Sequence, residues 1–244
     1  MDQRVAYGGA EALRHPGPGP DSGYAWLRLA AAMLFGALGG AAMWSVVVIL
    51  PAVQAEFGVQ RGVASLPYTL TMAGIAIGGV LMGRLSDRFG VMIPAIIGSL
   101  SIGTGYILTA YVDSLWQFIA IQFVFVALFG CSTTFGPMMA DTSLWFDRRR
   151  GIAVALCASG NYIAGTFWPP VVRILLDAYG WRNAQIIVGI ICLIGMIPVA
   201  LVFWRRPVFA TSDAATQGTV LDPRRIIGLS PGGLQGILML AGLS

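Results

Sequence analysis

The sequence is short of charge. Aspartate, glutamate, lysine and arginine make up 11% of its 244 residues, whereas an ordinary soluble domain carries about 25%. Lysine is missing altogether, and all 15 basic residues are arginines. So few charges cannot cover a globule of this length with a solvated surface, and the composition therefore excludes a soluble protein.

Histidine and cysteine are also scarce, and this restricts the possible chemistry. The single histidine, His15, lies in a polar segment rich in proline and glycine, so no buried Ser–His pair or metal site can form around it. The three cysteines, Cys131, Cys157 and Cys192, fall inside apolar runs and indicate small packing residues. We therefore expect no enzyme activity, no metal site and no cofactor.

Long apolar runs are abundant. Six segments of 22 to 27 residues contain no charged side chain, and each exceeds the roughly 20 residues that a helix needs to cross a bilayer core. The pattern predicts an all-α membrane protein with a bundle of six transmembrane helices over residues 23–204. The predicted spans are 24–51, 64–84, 91–112, 115–140, 151–173 and 183–204.

Composition also assigns the segments outside the bundle. Residues 1–22 have too little apolar surface to offset the entropy of ordering, which predicts a disordered tail. Residues 205–230 form a polar linker. Residues 231–244 are apolar but too short to span a bilayer, and we interpret them as the truncated start of a seventh helix.

The arginines are distributed unevenly between the two sides of the predicted bundle. Twelve lie on the side of the tail and the linker, whereas only Arg61, Arg173 and Arg182 lie on the other. The positive-inside rule therefore predicts a multi-pass protein of the cell (inner or plasma) membrane with a cytoplasmic N-terminus, tail and linker. Confinement of the basic residues to short loops favours this topology signal over nucleic-acid binding.

A loop bounded by glycines follows the second predicted span. Gly83 and Gly90 supply the close approach and positive φ that a tight turn between antiparallel helices needs. The loop reads Gly83-Arg84-Leu85-Ser86-Asp87-Arg88-Phe89-Gly90. A generic helical hairpin with a capping aspartate is one interpretation. The loop also resembles the Gly-x-x-x-Asp-(Arg/Lys)-x-Gly motif of the major facilitator superfamily, although the basic pair that often follows is replaced by Val91 and Met92.

The resemblance implies the N-terminal half of a major facilitator fold, in which two six-helix halves rock about a central site. It also implies that Gly83, Asp87, Arg88 and Gly90 belong to a cytoplasmic latch, with Asp87 as the anion that engages the other half. Asp141, near the same end of the fourth span, is a further candidate for the latch as partner of Arg84 or Arg88. A simple interfacial acid is the alternative for Asp141.

Two further segments narrow the resemblance to monocarboxylate transporters. They are similar to that family's (Asp/Glu)-Gly-(Gly/Ser)-(Trp/Phe)-(Gly/Ala)-Trp and Tyr-Phe-x-Lys-Arg-Arg-x-Leu-Ala motifs, at the starts of the first and fifth spans. Interfacial aromatic and basic residues are common at span ends, but this explains composition and not the positions of three motifs. The residues concerned are Asp21, Gly23 and Trp26 in the first segment and Trp145, Phe146, Arg148, Arg149 and Arg150 in the second.

The chain departs from the family at the basic residue that pairs with the substrate carboxylate. Monocarboxylate transporters of the well-known type carry a lysine in the first span, and counting without gaps from Asp21 places that position at Trp44. No basic residue lies between Leu29 and Ala55. The family's other charged substrate and proton residues belong to an eighth span, beyond this sequence. A lactate-like specificity is therefore in doubt, and a broader organic anion or an unrelated solute remains open.

Polar and aromatic residues within the spans are the candidates for the substrate path. Transporter sites lie near the bilayer midplane between structural repeats, and Asn161 falls at that depth. Hydrogen bonding between helices is the competing role for each of these residues. The candidates are Trp44, Ser45, Tyr68, Thr71, Asn161, Tyr162 and Trp168.

These features favour transport of a small solute by alternating access, with an organic anion such as a monocarboxylate as the expected substrate and a proton as a candidate coupling ion. The expected partners are the bilayer, the solute and a missing C-terminal six-helix half or a second copy. A six-span receptor or regulatory protein without transport activity is the alternative. It would be indicated by specific binding of a soluble partner to the tail or linker.

Overall fold

The computed structural model describes residues 21–58 and 66–204, and every regular element within these ranges is helical. Five continuous stretches are long and apolar enough to cross a membrane. They are Gly23–Phe57, Leu66–Phe89, Met92–Thr109, Leu115–Trp145 and Arg150–Trp204. The prediction of an all-α membrane fold is therefore confirmed.

Shorter elements make up these stretches. The α-helices are α1 (Gly23–Gly39), α2 (Ala41–Phe57), α3 (Leu66–Phe89), α4 (Met92–Thr109), α5 (Leu115–Ile121), α6 (Gly136–Trp145) and α7 (Arg150–Leu201). A π-helix at Gln122–Gly130 and a 3₁₀ turn at Cys131–Thr133 join α5 towards α6, and a second 3₁₀ turn covers Val202–Trp204. The side chain of Ser22 caps α1 by accepting a hydrogen bond from the backbone N–H of Ala25.

The fifth stretch contains both the fifth and the sixth predicted spans. Helix α7 is kinked at Gly180, whose φ of 77° and ψ of 165° are not helical. That combination is essentially restricted to glycine. Gly180 lies in the predicted connection between the last two spans. The fifth stretch is therefore two helical segments joined at this kink, which is why five continuous stretches are present where the sequence predicted six helices.

Helix α7 is the central packing element, in contact with α1, α2, α4 and α6. Its Trp168 is fully buried and donates from Nε1 to the carbonyl of Ala37 in α1, at 2.8 Å. Gly160 of the same helix lies directly against the backbone of Met33. Because small residues let helix backbones approach closely, these contacts hold the first and last stretches together.

The π-helix lies between α3 and α4. On α3, Gly74 and Gly78 pack against it, whereas a side chain added at Gly79 or Gly83 would meet nothing within 4 Å. The turn after α3 contains Gly90 at a φ of 83°, as expected of a turn glycine. Helix α3 therefore has one packed glycine face and one free glycine face within the described residues.

One end of the bundle is joined by a polar cluster around Glu56, Trp181 and Arg182. The Arg182 guanidinium contacts the Glu56 carboxylate at 2.8 Å and donates to the carbonyls of Ala110 and Val112. Trp181 donates from Nε1 to the same carboxylate. This cluster, here called the far-end cluster, connects α2, the end of α4 and the part of α7 that follows the kink.

Several predictions fall largely outside the described residues. These are the linker at 205–230, the seventh helix at 231–244 and most of the tail. The last two tail residues, Asp21 and Ser22, are described. Both make the contacts of an ordered helix start.

The unusual backbone of Gly180 leads to a stability prediction. We expect Gly180→Ala to lower the free energy of unfolding by about 1–3 kcal/mol, because an alanine Cβ is strained in this conformation. Gly151→Ala is the matched control, since Gly151 is helical and also has nothing within 4 Å. Thermal unfolding in detergent followed by circular dichroism measures both. Equal unfolding temperatures for the two variants would contradict the positive-φ conformation assigned to Gly180.

Candidate functional site

The two segments that resemble monocarboxylate-transporter motifs contact each other at one end of the bundle. The backbone N–H of Asp21 donates to the carbonyl of Trp145, at 3.1 Å. The Asp21 carboxylate accepts from the backbone N–H of Arg148, also at 3.1 Å. Although more than 100 positions separate them, the two segments therefore form one structure, here called the motif cluster.

Aromatic rings extend the motif cluster. Tyr24 packs edge-to-face on Trp145 with centroids 5.3 Å apart, and Trp26 packs in the same way on Phe146 at 5.1 Å. The Tyr24 hydroxyl donates to the carbonyl of Val202, at 2.9 Å. The start of α1 is thereby attached to the end of α6 and to the last helical turn of the described chain.

A buried ion pair lies beneath these rings. Arg28 donates from Nε and Nη2 to the two carboxylate oxygens of Asp141, at 2.7 Å and 2.8 Å. The two side chains are only 3% and 4% exposed. The Arg28 guanidinium also lies 4.9 Å from the ring centroid of Trp145 and 5.2 Å from that of Phe203. The pair is thus bidentate and enclosed by aromatic faces, the geometry that best compensates desolvated charges.

This pair replaces the partner that was expected for Asp141. The positions along the chain predicted Arg84 or Arg88 as the partner, or else a simple interfacial acid, but the partner is Arg28 from the first stretch. The reason is geometric, because α6 lies beside α1 at this end. The available signal was the position of Arg28 within the first predicted span, 24–51, where a charge is costly without a partner.

The expected tight turn is confirmed at Gly90, whose φ is 83°, but the expectation is wrong for Gly83, which is helical and lies within α3. Helix α3 continues to Phe89, so Asp87 lies in its last turn and is exposed. Arg88 is also exposed and lies 5.2 Å from the Phe89 ring centroid. Asp87 forms no ion pair within residues 21–58 and 66–204. The structure thus separates Asp141 from the other proposed latch residues.

Three of the candidates for the substrate path are fully buried and already hydrogen-bonded. Ser45 donates to the carbonyl of Ala41, and Thr71 donates to that of Pro67, both at 2.7 Å. Trp168 donates to the carbonyl of Ala37. Their polar atoms therefore serve helix packing in this conformation.

The other four candidates are differently placed. Tyr68 and Tyr162 are exposed, Tyr162 at 70%. Trp44 packs its ring over Gly165, and its buried Nε1 donor has no hydrogen-bond partner within the described part of the chain. Asn161 has its side-chain oxygen close to Gly40, where an added Cβ would lie 3.1 Å away. Trp44 and Asn161 therefore face the same contact between α2 and α7.

Sequence reasoning missed a buried polar network beside this contact. The Tyr106 hydroxyl donates to the Ala41 carbonyl at 2.6 Å and hydrogen-bonds Ser45. Farther along α4, Thr109 accepts from the Gln185 amide at 3.3 Å. Isolated polar residues in apolar runs are common, so only the packing of α2 against α4 reveals Tyr106 as part of this network.

Comparisons with known proteins agree with the motif pattern. The Major Facilitator Superfamily model matches residues 32–243. "MFS-type transporter pynF" of Aspergillus niger is 34% identical over 133 residues, covering 54% of this chain and 30% of that protein. "Monocarboxylate transporter 11" of Homo sapiens is 28% identical over 182 residues, covering 73% and 38%. "Monocarboxylate transporter 13" of Rattus norvegicus is 29% identical over 203 residues, covering 82% and 46%. The matches span less than half the length of these relatives.

The buried ion pair generates a prediction about stability. We expect Asp141→Asn to cost about 3–5 kcal/mol, because it removes the carboxylate that is paired with the buried Arg28 charge. The double variant Arg28→Met/Asp141→Leu should recover most of that loss, since it removes both charges. Unfolding temperature in detergent is the measurement.

The exposed pair between Arg173 and Asp177 provides the control. It has a similar contact distance, 3.0 Å, but its side chains are 67% and 60% exposed. Asp177→Asn should therefore cost about 1 kcal/mol at most. A loss from Asp141→Asn no larger than that of this control would show that the motif cluster does not depend on the ion pair.

Proposed function

Since this chain belongs to the major facilitator superfamily, we propose that it forms one half of an alternating-access transporter for a small organic anion such as a monocarboxylate. The observation that carries the proposal is the motif cluster, in which Asp21 hydrogen-bonds directly to the Trp145–Arg150 segment and the Arg28–Asp141 pair lies beneath. Two of the relatives are named as monocarboxylate transporters, and these names support the proposed substrate class.

The proposed solute contacts are Trp44 and Asn161, the two candidates that face the contact between α2 and α7. Trp44 stands at the position of the family's substrate lysine and has a buried Nε1 donor without a partner in the described residues. Asn161 lies across the same contact on α7. An indole N–H can hydrogen-bond a carboxylate without carrying a charge. Recognition by neutral donors would admit a wider range of organic anions than recognition by lysine.

The proposed partner surface for the second half is the free glycine face of α3. Gly79, Gly83 and Asp87 repeat at every fourth residue and so lie on one side of the helix. A Cβ added at Gly79 or Gly83 would meet nothing within 4 Å, and Asp87 is exposed. Small residues followed by an anion fit the close approach of another helix that supplies a donor or a cation. A second six-helix half is the proposed occupant, with a second copy of this chain as the alternative.

We also propose that the chain crosses the membrane six times, with its arginine-rich loops in the cytoplasm and the Gly180 kink at the outer surface. Tyr179, next to the kink, is 60% exposed, and Asp147, in the loop before α7, is exposed. The three native cysteines are buried and supply a low background for labelling.

Cysteine labelling tests this topology. A membrane-impermeant maleimide should label Tyr179→Cys in intact cells and should label Asp147→Cys only after permeabilisation, since the bilayer separates the two positions. The unsubstituted chain is the control. Labelling of both variants from the same side would eliminate a crossing between residues 147 and 179, and the reverse order of labelling would overturn the orientation.

An uptake assay tests the transport function. The chain is expressed alone, or together with the second half of a monocarboxylate-transporter relative as a separate polypeptide, and uptake of labelled lactate, pyruvate and larger monocarboxylates is measured. We expect uptake only when both halves are present, because the substrate site lies between the two six-helix halves. Uptake by the chain alone, or no uptake of any anion by two halves that purify together, would contradict the proposal.

The variant Asn161→Ala, measured in the same uptake assay, tests whether this side chain contacts the solute. Loss of a hydrogen bond to a charged solute should raise KM by about 10-fold or more. Asn183→Ala is the matched control, because Asn183 is exposed and bonds only the carbonyl of Tyr179 among the described residues. An equal effect of the two variants would remove Asn161 from the proposed path.

A further inference from the structure

A groove lies between α3, α4 and the π-helix, on the side of α3 that the proposed transport function does not use. Met82, which is 2% exposed, lies at its base, and Leu81, Ile97 and Phe129 contribute apolar walls. Arg84 and Arg88 line the same groove towards the end of α3. The groove thus combines a long apolar surface with two guanidinium groups at one end.

The two arginines carry like charges on α3, and Asp87 between them in sequence supplies one negative charge against two positive ones. They are four residues apart on one helix, so they lie one turn from each other, where like charges are destabilising. Both are exposed, and neither forms a salt bridge within residues 21–58 and 66–204. An anion with several oxygens, placed between them, would relieve the repulsion and accept hydrogen bonds from both.

Helix periodicity separates this groove from the surface proposed for the second half. Leu81, Leu85 and Phe89 repeat at every fourth residue, as do Gly79, Gly83 and Asp87. The two rows are offset by two residues, which is about 200° around the helix, so they lie on opposite sides. Arg84 and Arg88 follow Gly83 and Asp87 by one residue each, about 100° around the helix, so they lie between the two rows. A partner on the glycine row therefore leaves the apolar wall of the groove uncovered.

We propose that this groove binds an anionic glycerophospholipid, with the lipid phosphate between Arg84 and Arg88 and an acyl chain along Met82, Ile97 and Phe129. Basic groups at the end of an apolar surface between transmembrane helices match the two parts of such a lipid. A free phosphate ion would use only the arginines, and another helix would leave both charges without a counter-ion.

Native mass spectrometry of the 244-residue chain in detergent tests the proposal. Mixed micelles supply dioleoylphosphatidylglycerol and dioleoylphosphatidylcholine in equal amounts, and a parallel sample receives inorganic phosphate. We expect the anionic lipid to be retained in preference to the zwitterionic one. Arg84→Gln/Arg88→Gln should weaken that retention about 30-fold, since each arginine near an anionic headgroup contributes about a factor of five.

Two further variants make the result specific. Arg148→Gln/Arg149→Gln removes the same charge from another exposed loop and should leave lipid retention unchanged. Ile97→Trp keeps both arginines but fills the groove, so it should weaken retention of the lipid. Circular dichroism and size-exclusion chromatography establish that each variant is folded.

Three outcomes would overturn the proposal. Equal retention of the two lipids would remove the role of the headgroup charge. An equal loss in the two arginine double variants would indicate a response to net charge alone. Inorganic phosphate that binds as well as the lipid, together with no effect of Ile97→Trp, would indicate a phosphate site without an acyl-chain groove.

Discussion

The Arg28–Asp141 ion pair is the interaction on which the organised end of this bundle depends. Two charges that are 3% and 4% exposed in an apolar surrounding persist only if each compensates the other. The bidentate geometry does so, and the rings of Trp145 and Phe203 cover the guanidinium. Because the partners come from α1 and α6, the pair fixes the relation between the two segments that carry the motif cluster.

The opposite end is held in a different way. Arg182 binds Glu56 and two backbone carbonyls, but the two charged side chains are 36% and 40% exposed, so solvent shares in their stabilisation. Between the ends, packing rests on small residues such as Gly160 and on buried hydrogen bonds such as that from Trp168 to Ala37. The described bundle is therefore stabilised at both ends and closely packed between them. This packing fits the proposed role as one half of an alternating-access transporter.

The groups without a hydrogen-bond or ion-pair partner in the described chain indicate what the bundle could bind. Trp44 has a buried donor without an acceptor in the described chain, Asp87 is an exposed anion beside glycines, and Arg84 and Arg88 flank an apolar groove. These groups differ in their chemistry and in their position on the bundle. A solute, a second helical half and a lipid could therefore be bound at the same time without competing for one surface.

The sequence by itself determined the membrane class and the motif positions, because apolar run length and loop composition are local properties of the chain. It also predicted a connection at 174–182 between the fifth and sixth spans, and this connection contains Gly180, where the backbone breaks from helical geometry. The partner of Asp141 was decided only by tertiary structure, since Arg28 lies 113 positions away and nothing local connects them. The same holds for the substrate path: whether Ser45, Thr71 or Trp168 offers its polar atom to a solute depends on the neighbouring carbonyl that packing brings within reach.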